Sequence, residues 1–380
     1  MKILHVLRSI DPSSGGTYEG VRCLATCQLA MGRMLETVAL DEPNLRHAMP
    51  GPVHLLGPCT NKYGRTAALD RWLDQNLTRF TVVVVHGLWQ YHGFAVRRAC
   101  LKAGIPYAVF PHGMLDPWFK RTYPLKHLKK WLYWPWGEYR ILRDAAAVLF
   151  TAEEERLAAR NSFWLYRARE EVVGFGTEPP PPDVEQQREA FLSRFPHLRN
   201  KRLLLFLGRI HPKKGCDLLV RAFAANAGDL HLVMAGPDPD ALRPELERLA
   251  GNSAPRITWT GMLEGAEKWG AFRCADAFIL PSHQENFGVA VAEALACEVP
   301  ALISRRVNIW REIEQDGAGW TAEDNDDGCA ELVRRWAQAS PAERQRIRNA
   351  TKSCFSSRFA MAGATARLDS VLNRIALDVR

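Results

Sequence analysis

Residues 275–300 read ADAFILPSHQENFGVAVAEALACEVP. The run Ala277–Leu280 is short, apolar and closed by a proline, the pattern of a strand buried on both faces. Pro281 to Gly288 is polar and turn-forming, and the alanine-rich stretch after it, with Glu293-Ala294-Leu295-Ala296, favours a helix. The segment therefore predicts a strand–loop–helix unit. Glu285 lies in the loop and Glu293 well inside the helix, a spacing of about 12 Å along a helix axis. Two carboxylates that far apart cannot share a proton, but they can grip different parts of one extended ligand. Asn286, Phe287 and Gly288 stand at the helix start, where backbone N–H groups favour negative charge. A junction with an incidental acidic cap would look the same locally.

The same alternation extends in both directions. Upstream, Leu203–Leu207, His231–Ala235 and Arg256–Thr260 read as strands, with Cys216–Ala224 and Ala241–Ala250 as helices; downstream, Ala301–Ser304 is a strand and Ser340–Asp378 a helical stretch. The N-terminal half repeats the theme: strands at Ile3–Leu7, Glu36–Leu40, Phe80–Val85, Tyr107–Phe110 and Ala147–Phe150, helices at Gly20–Met31 and Gly93–Ala103. Pro179–Pro182 interrupts the two series and reads as a linker. The expected fold class is α/β: two Rossmann-like, doubly wound domains facing a central cleft. Expected boundaries are 1–178 for the first domain, 179–200 for the linker, 201–358 for the second domain and 359–380 for a C-terminal helix.

A chain of 380 residues suits two cores rather than one. Its 47% hydrophobic and 24% charged residues are those of a globular protein. No apolar run approaches the roughly 20 residues that span a bilayer, and Met1–Leu7 reads as a first strand rather than an export signal. The expected location is the cytoplasm, with peripheral attachment to the inner face of the cell membrane. The nine cysteines are scattered and odd in number, which fits buried thiols better than a disulfide or zinc framework. The net charge of +8 is one-sided: residues 1–175 carry 23 Lys+Arg against 15 Asp+Glu, and the remainder 27 against 27. A basic half attracts phosphates of some kind.

A second loop sharpens this. Gly208-Arg209-Ile210-His211-Pro212-Lys213-Lys214-Gly215 follows the first strand of the second series. Arg offers a planar fork to phosphate and Lys a mobile charge; with a helix N-terminus behind them they suit a diphosphate. Together the two segments resemble the family 4 retaining glycosyltransferases of the GT-B fold, whose signatures are E-x7-E (Glu285 and Glu293 here) and G-R-x-x-x-x-K-G (Arg209 and Lys214). The resemblance implies that Arg209 and Lys214 hold the donor diphosphate, Glu285 touches the sugar hydroxyls and Glu293 takes the ribose hydroxyls. It implies a nucleotide-sugar-binding second domain, an acceptor-side first domain and a C-terminal helix that packs back on the first domain.

Three further stretches match the family in the N-terminal half. Ser13-Ser14-Gly15-Gly16-Thr17 resembles its glycine-rich loop, making Gly15 and Gly16 donor-binding. Pro111-His112-Gly113-Met114 follows a strand where similar enzymes place a His against the transferred sugar, though a structural histidine at a strand end fits too. His86-Gly87-Leu88-Trp89 ends the neighbouring strand, so His86 is an acceptor-side or packing residue. The chain departs from the family at Glu298, where glycine is usual, at Val307-Asn308-Ile309, and at Gly174-Phe175-Gly176-Thr177. Asp238-Pro239-Asp240 and Asp324-Asn325-Asp326 match the D-x-D pattern of metal-dependent transferases but read as solvated turns. No metal and no cofactor are expected. The family analogy implies front-side attack, with the departing phosphate oxygen taking the acceptor's proton.

Phe119 to Arg143 holds seven Lys and Arg against one acid, Glu138, before Asp144, interleaved with aromatics. Lys126, Lys129, Lys130, Trp131 and Trp134 suit an anionic membrane surface or a lipid-diphosphate acceptor. A helix with core aromatics, or single-stranded nucleic acid, is also compatible. The expected activity is retaining transfer from a UDP- or GDP-linked sugar to a saccharide or lipid-linked acceptor, in surface polysaccharide or glycolipid synthesis, with no nucleic-acid partner. The alternatives are a soluble transferase acting on a small metabolite or sugar phosphate, and a non-catalytic nucleotide-sugar or nucleic-acid binding module.

Overall fold

Four consecutive valines, Val82–Val85, are completely buried in one strand. β-Branched side chains on both faces can be hidden together only where both faces of a sheet are covered, as in a parallel sheet flanked by helices. The computed structural model describes residues 1–12, 16–59, 61, 63–118, 120 and 124–378. Within it the chain forms two units, Met1–Gly176 with Met361–Arg380, and Thr177–Ala360.

The first unit is built on β1 (Lys2–Leu7), β2 (Met34–Ala39), β3 (Val53–Leu55), β4 (Val82–His86), β5 (Tyr107–Phe110), β6 (Ala147–Phe150) and β7 (Glu170–Val172). Their order is β3-β2-β1-β4-β5-β6-β7, parallel throughout. The second unit holds β8 (Arg202–Leu207), β9 (Leu230–Ala235), β10 (Ile257–Gly261), β11 (Ala275–Leu280), β12 (Ala301–Ser304) and β13 (Gly319–Ala322). Their order is β10-β9-β8-β11-β12-β13, again parallel. In each sheet the winding direction reverses once, between β1 and β4 and between β8 and β11. Ligands of doubly wound sheets bind at that reversal, beyond the carboxyl ends of the strands. Loops 208–214 and 281–288 flank one reversal; residues 8–12 and the turn at His86 flank the other.

Two boundaries differ from the sequence reading. Residues 179–200 are not a linker. The helix Val184–Arg194 belongs to the second unit, with Phe191 completely buried. It packs so closely on the helix Gly265–Cys274 that a β-carbon at Gly270 would collide with the carbonyl of Gln187. The four prolines mark only the entry to that helix. The C-terminal helical stretch is also two helices, Pro341–Cys354 and Met361–Leu377, separated by a π-turn at Phe355–Phe359. The unit boundary falls just after that turn. The Met361–Leu377 helix packs on the helix Gly16–Ala30, and the Arg367 guanidinium donates to the Val173 carbonyl at 2.8 Å.

Glu298 sits in the left-handed region with φ +62° just past the helix Val289–Ala296. Glycine adopts that geometry without strain, whereas a β-carbon costs about 1–2 kcal/mol. This accounts physically for glycine being usual at the position. The side chain is exposed and only 3.8 Å from Lys352, an ion pair of little worth. Glu298→Gly should therefore stabilise the protein by about 1 kcal/mol and raise its melting temperature by about 2–4 °C; differential scanning calorimetry of the two proteins checks this.

Candidate active site

In the second unit, β8 and β11 lie side by side and their following loops interlock. Gly215 has φ +66°, and a β-carbon there would collide with the Pro281 carbonyl oxygen. The His283 N–H donates to the Lys213 carbonyl at 2.9 Å across the same crossing. The close approach brings Lys214 onto Glu285: the ammonium and the carboxylate are ion-paired. Both are partly exposed, so the pair faces outward from the crossing. Arg209, on the same loop, is exposed, and its side chain donates no hydrogen bond and forms no ion pair among the described residues.

The backbone of Glu285 bridges to the turn after β12: its N–H donates to the Arg306 carbonyl at 2.9 Å, and its carbonyl accepts from the Asn308 N–H at 3.1 Å. The Asn308 side-chain amide reaches Asn286 at 3.4 Å. Phe287 is buried against Phe359 at 5.8 Å. Gly288, at φ +76°, starts the Val289–Ala296 helix. Glu293 is buried on that helix and paired with Lys268 at 2.6 Å. Lys268 was not singled out in the sequence, because it is one basic residue on a surface-patterned helix and only folding brings it to Glu293. Loop 281–288 thus gathers Lys214, Glu285, Asn286 and Gly288, with Glu293 one layer deeper and Phe287 as its packing anchor.

Asp238, Asp324 and Asp326 of the D-x-D pairs have partners within the fold. Asp238 accepts from the Leu242 and Arg243 N–H groups, both at 2.9 Å. Asp324 pairs with His283 at 3.1 Å and Arg306 at 2.9 Å, and Asp326 with Arg221 at 2.7 Å.

In the first unit, Gly16 opens the Gly16–Ala30 helix; Gly15 lies outside the described residues. His112 sits in a turn with φ +50°. That turn is held by Glu155, whose carboxylate accepts from the Gly113 N–H at 2.6 Å and from the Thr151 N–H and hydroxyl, each at 2.7 Å. Of the two places its position suggested, His86 takes the packing one: it is buried, hydrogen-bonded to His112 at 3.0 Å on one side and to His5 at 2.9 Å on the other. The rings stack in a column, 5.3 Å and 5.2 Å between centroids. Burial pulls His5 and His112 down to about 4 and His86 well below the usual imidazole value, so all three are neutral at pH 7.

Segment 119–143 divides cleanly where it is described. The helix Pro124–Tyr133 has no buried residue, and Leu125, Leu128, Leu132 and Trp136 stand exposed beside Lys126 and Lys129. Trp131 is exposed and packs on Trp164 at 5.5 Å. Trp134 is corrected to core: it is completely buried, stacked on Phe163 at 4.5 Å, and its indole N–H donates to the Trp164 carbonyl at 2.7 Å. Lys130 lies 4.4 Å above the Trp89 ring. Beneath it, Glu138 is buried, accepts the Trp89 N–H at 2.8 Å, and is pushed up to about 8 by burial against the opposing effects of that hydrogen bond and of Lys130.

Two parallel α/β units, one carrying a cation–carboxylate pair at its switch point and the other a histidine column at its own, have the GT-B architecture. The family "Glycosyl transferases group 1" matches residues 187–353 and "Glycosyl transferase 4-like domain" residues 15–176. The chain belongs to this glycosyltransferase family. Among relatives, it is 28% identical over 189 residues to an alpha-D-kanosaminyltransferase of Streptomyces kanamyceticus, covering 48% of each chain. It is 32% identical over 173 residues to a GDP-mannose-dependent alpha-(1-6)-phosphatidylinositol dimannoside mannosyltransferase of Mycobacterium tuberculosis, covering 44% of each. The chain thus spans about half the length of the curated relatives it matches. Among solved structures, HepE of Anabaena in complex with UDP and glucose superposes with a TM-score of 0.76 at 16% identity, covering 98% of this chain and 100% of that one; that likeness is one of fold.

A carboxyl group raised in the folded state binds its proton more tightly there than in the unfolded chain. Glu138 therefore contributes stability that is full below the unfolded value of about 4.3 and is lost as pH rises through about 8. The buried histidines act at lower pH, below their unfolded value of about 6.5. Between pH 7 and 8.5 the melting temperature should fall, and Glu138→Gln, which keeps an acceptor for the Trp89 N–H, should flatten that fall. Thermal melts of both proteins at the two pH values check the sign.

Proposed function

We propose that this glycosyltransferase moves a sugar from a UDP- or GDP-linked donor to a saccharide or lipid-linked acceptor, with retention of anomeric configuration and without a metal ion. The observation that carries the reading is the Lys214–Glu285 pair at the second sheet's switch point, beside exposed Arg209 and the Val289–Ala296 helix start. A donor diphosphate there meets Arg209, Lys214 and a helix N-terminus, three groups that stabilise negative charge developing on the leaving phosphate. Glu285 then accepts from sugar hydroxyls and Glu293 from ribose hydroxyls, and the family resemblance gives His112 a contact with the transferred sugar. In front-side transfer the acceptor oxygen bonds to the anomeric carbon as the carbon–phosphate-oxygen bond breaks, and the acceptor's proton passes to that departing oxygen. The engagement of Asp238 and Asp324 in capping and ion pairs supports leaving-group stabilisation by cations of the chain itself.

For the acceptor, exposed leucines and Trp136 beside Lys126 and Lys129 support a lipid-linked substrate at an anionic membrane surface, on the cytoplasmic face, in surface polysaccharide or glycolipid synthesis. No helix among the described residues is long and apolar enough to cross a membrane. A small metabolite or sugar phosphate as acceptor is the second reading, favoured by the buried Trp134, which removes one aromatic from that surface.

Arg209→Ala and Lys214→Ala should each slow transfer by about 10²–10³-fold, the usual loss for one preorganised donor to a developing charge, and EDTA should leave the wild-type rate unchanged. Normal kinetics in both variants, or loss on chelation restored by Mg²⁺, would overturn the clamp or the metal-free mechanism respectively. For the surface, each basic residue contributes about 1 kcal/mol near an anionic leaflet. Lys126→Gln with Lys129→Gln should thus weaken vesicle association roughly 30-fold and leave nucleotide affinity intact, as vesicle sedimentation and calorimetry will read.

A further inference from the structure

The histidine column does not end at His5. The His5 Nε2 lies 2.9 Å from the Gln28 side-chain oxygen, the Gln28 amide nitrogen 3.1 Å from Asp369, and Asp369 2.6 Å from Arg33. Every side chain from His86 to Asp369 is buried. Strand register builds the diagonal: His5 lies beside Val84 and His86 beside Phe110, so each step to the next strand advances two residues on one face.

The direction of every hydrogen bond follows from one end. The Asp369 carboxylate, ion-paired with Arg33, only accepts, so Gln28 turns its NH₂ toward Asp369 and its carbonyl toward His5. A carbonyl only accepts, so His5 carries its proton on Nε2, leaving a lone pair on Nδ1. The His86 Nε2 facing that lone pair must donate, leaving its Nδ1 to accept from the His112 Nε2. His92, the other ring against His86, donates from Nε2 to the His86 backbone carbonyl at 2.9 Å and leaves these ring nitrogens alone. What remains is the Nδ1 of His112, which has no hydrogen-bond partner among the described residues.

We infer that Asp369, acting through Gln28, His5 and His86, fixes His112 with its proton on Nε2 and its lone pair on Nδ1, so that His112 accepts a hydrogen bond from a hydroxyl of the transferred sugar. The second half of this statement rests on the reading that His112 faces that sugar; the first half does not. Gln28, His5, His86 and Asp369 are positioning residues: they touch no substrate and act by setting the tautomer of one ring. An imidazole locked as an acceptor favours a hydroxyl and disfavours a phosphate oxygen at the same place, because a phosphate oxygen offers no proton. Burial, which keeps the three rings neutral, maintains the one-way order of donors.

The test is ¹⁵N–¹H correlation of the imidazoles in the full-length protein at pH 7.5, with His112→Gln used to assign the ring. The expected wild-type result is protonated Nε2 and bare Nδ1 on His5, His86 and His112. Gln28→Met removes the acceptor at His5, and Asp369→Asn lets the neighbouring amides turn either way. Each should shift His112 toward a mixture of tautomers. Transfer should slow by about tenfold in kcat, the worth of one hydrogen bond, while UDP or GDP affinity, measured by calorimetry, stays as in wild type. A wild-type His112 protonated on Nδ1 overturns the inference with no variant needed, as does an unchanged His112 spectrum in both variants. Altered tautomers with unchanged kcat would retain the lock and overturn the contact with sugar. Failure of the Arg209 and Lys214 clamp would leave the imidazole spectrum untouched, so the two readings fail separately.

Discussion

A strand buried on both faces cannot offer a polar group to a ligand along its length, and every strand in the two sheets runs parallel to its neighbours. The carboxyl ends therefore collect in one row, and chemistry gathers where the winding reverses and two adjacent loops leave in opposite directions. At the second reversal, backbone crowding tightens this constraint. The loop after β8 passes the loop after β11 with no room for a β-carbon at Gly215, and this closeness joins Lys214 to Glu285. Any side chain at Gly215 would push apart the two loops that carry the cation and the acid.

The first reversal solves a different problem. Three imidazoles at adjacent strand ends would repel one another if charged, and burial removes that charge. Neutral rings can then bond head to tail, each accepting at Nδ1 and donating at Nε2. His86 also stacks on Phe110, 5.5 Å between centroids with the planes nearly parallel. One unit thus offers fixed positive charge and the other an ordered set of neutral dipoles.

The central strands were legible because they are near-continuous apolar runs, and Glu285, Glu293, Arg209 and Lys214 because loop chemistry beside a helix start has a sequence pattern. The strands that were missed, Val53–Leu55, Glu170–Val172 and Gly319–Ala322, lie at sheet edges, where short length and one open side leave no such pattern. The spacing of Trp131 and Trp134 does not reveal which ring turns inward; Phe163, distant in sequence, decides that by stacking on Trp134. Lys268, Glu155 and Asp369 were invisible for the same reason: each is an ordinary charged residue on a helix until the fold supplies its partner. A partial clue to the column was present, since His5, His86 and His112 all occur on or just past predicted strands.

The first unit is discontinuous: its sheet is complete by Gly176, but the Met361–Leu377 helix that covers the Gly16–Ala30 helix follows the whole of the second unit in the chain. During synthesis the ribosome must add more than a hundred residues before Asp369 exists to meet Arg33 and Gln28. Until then the N-terminal sheet lacks one of its helices and the inner end of its histidine column. The second unit, contiguous from Thr177 to Ala360, can fold in that interval. The half of the molecule made first is thus the last to receive its full set of helices.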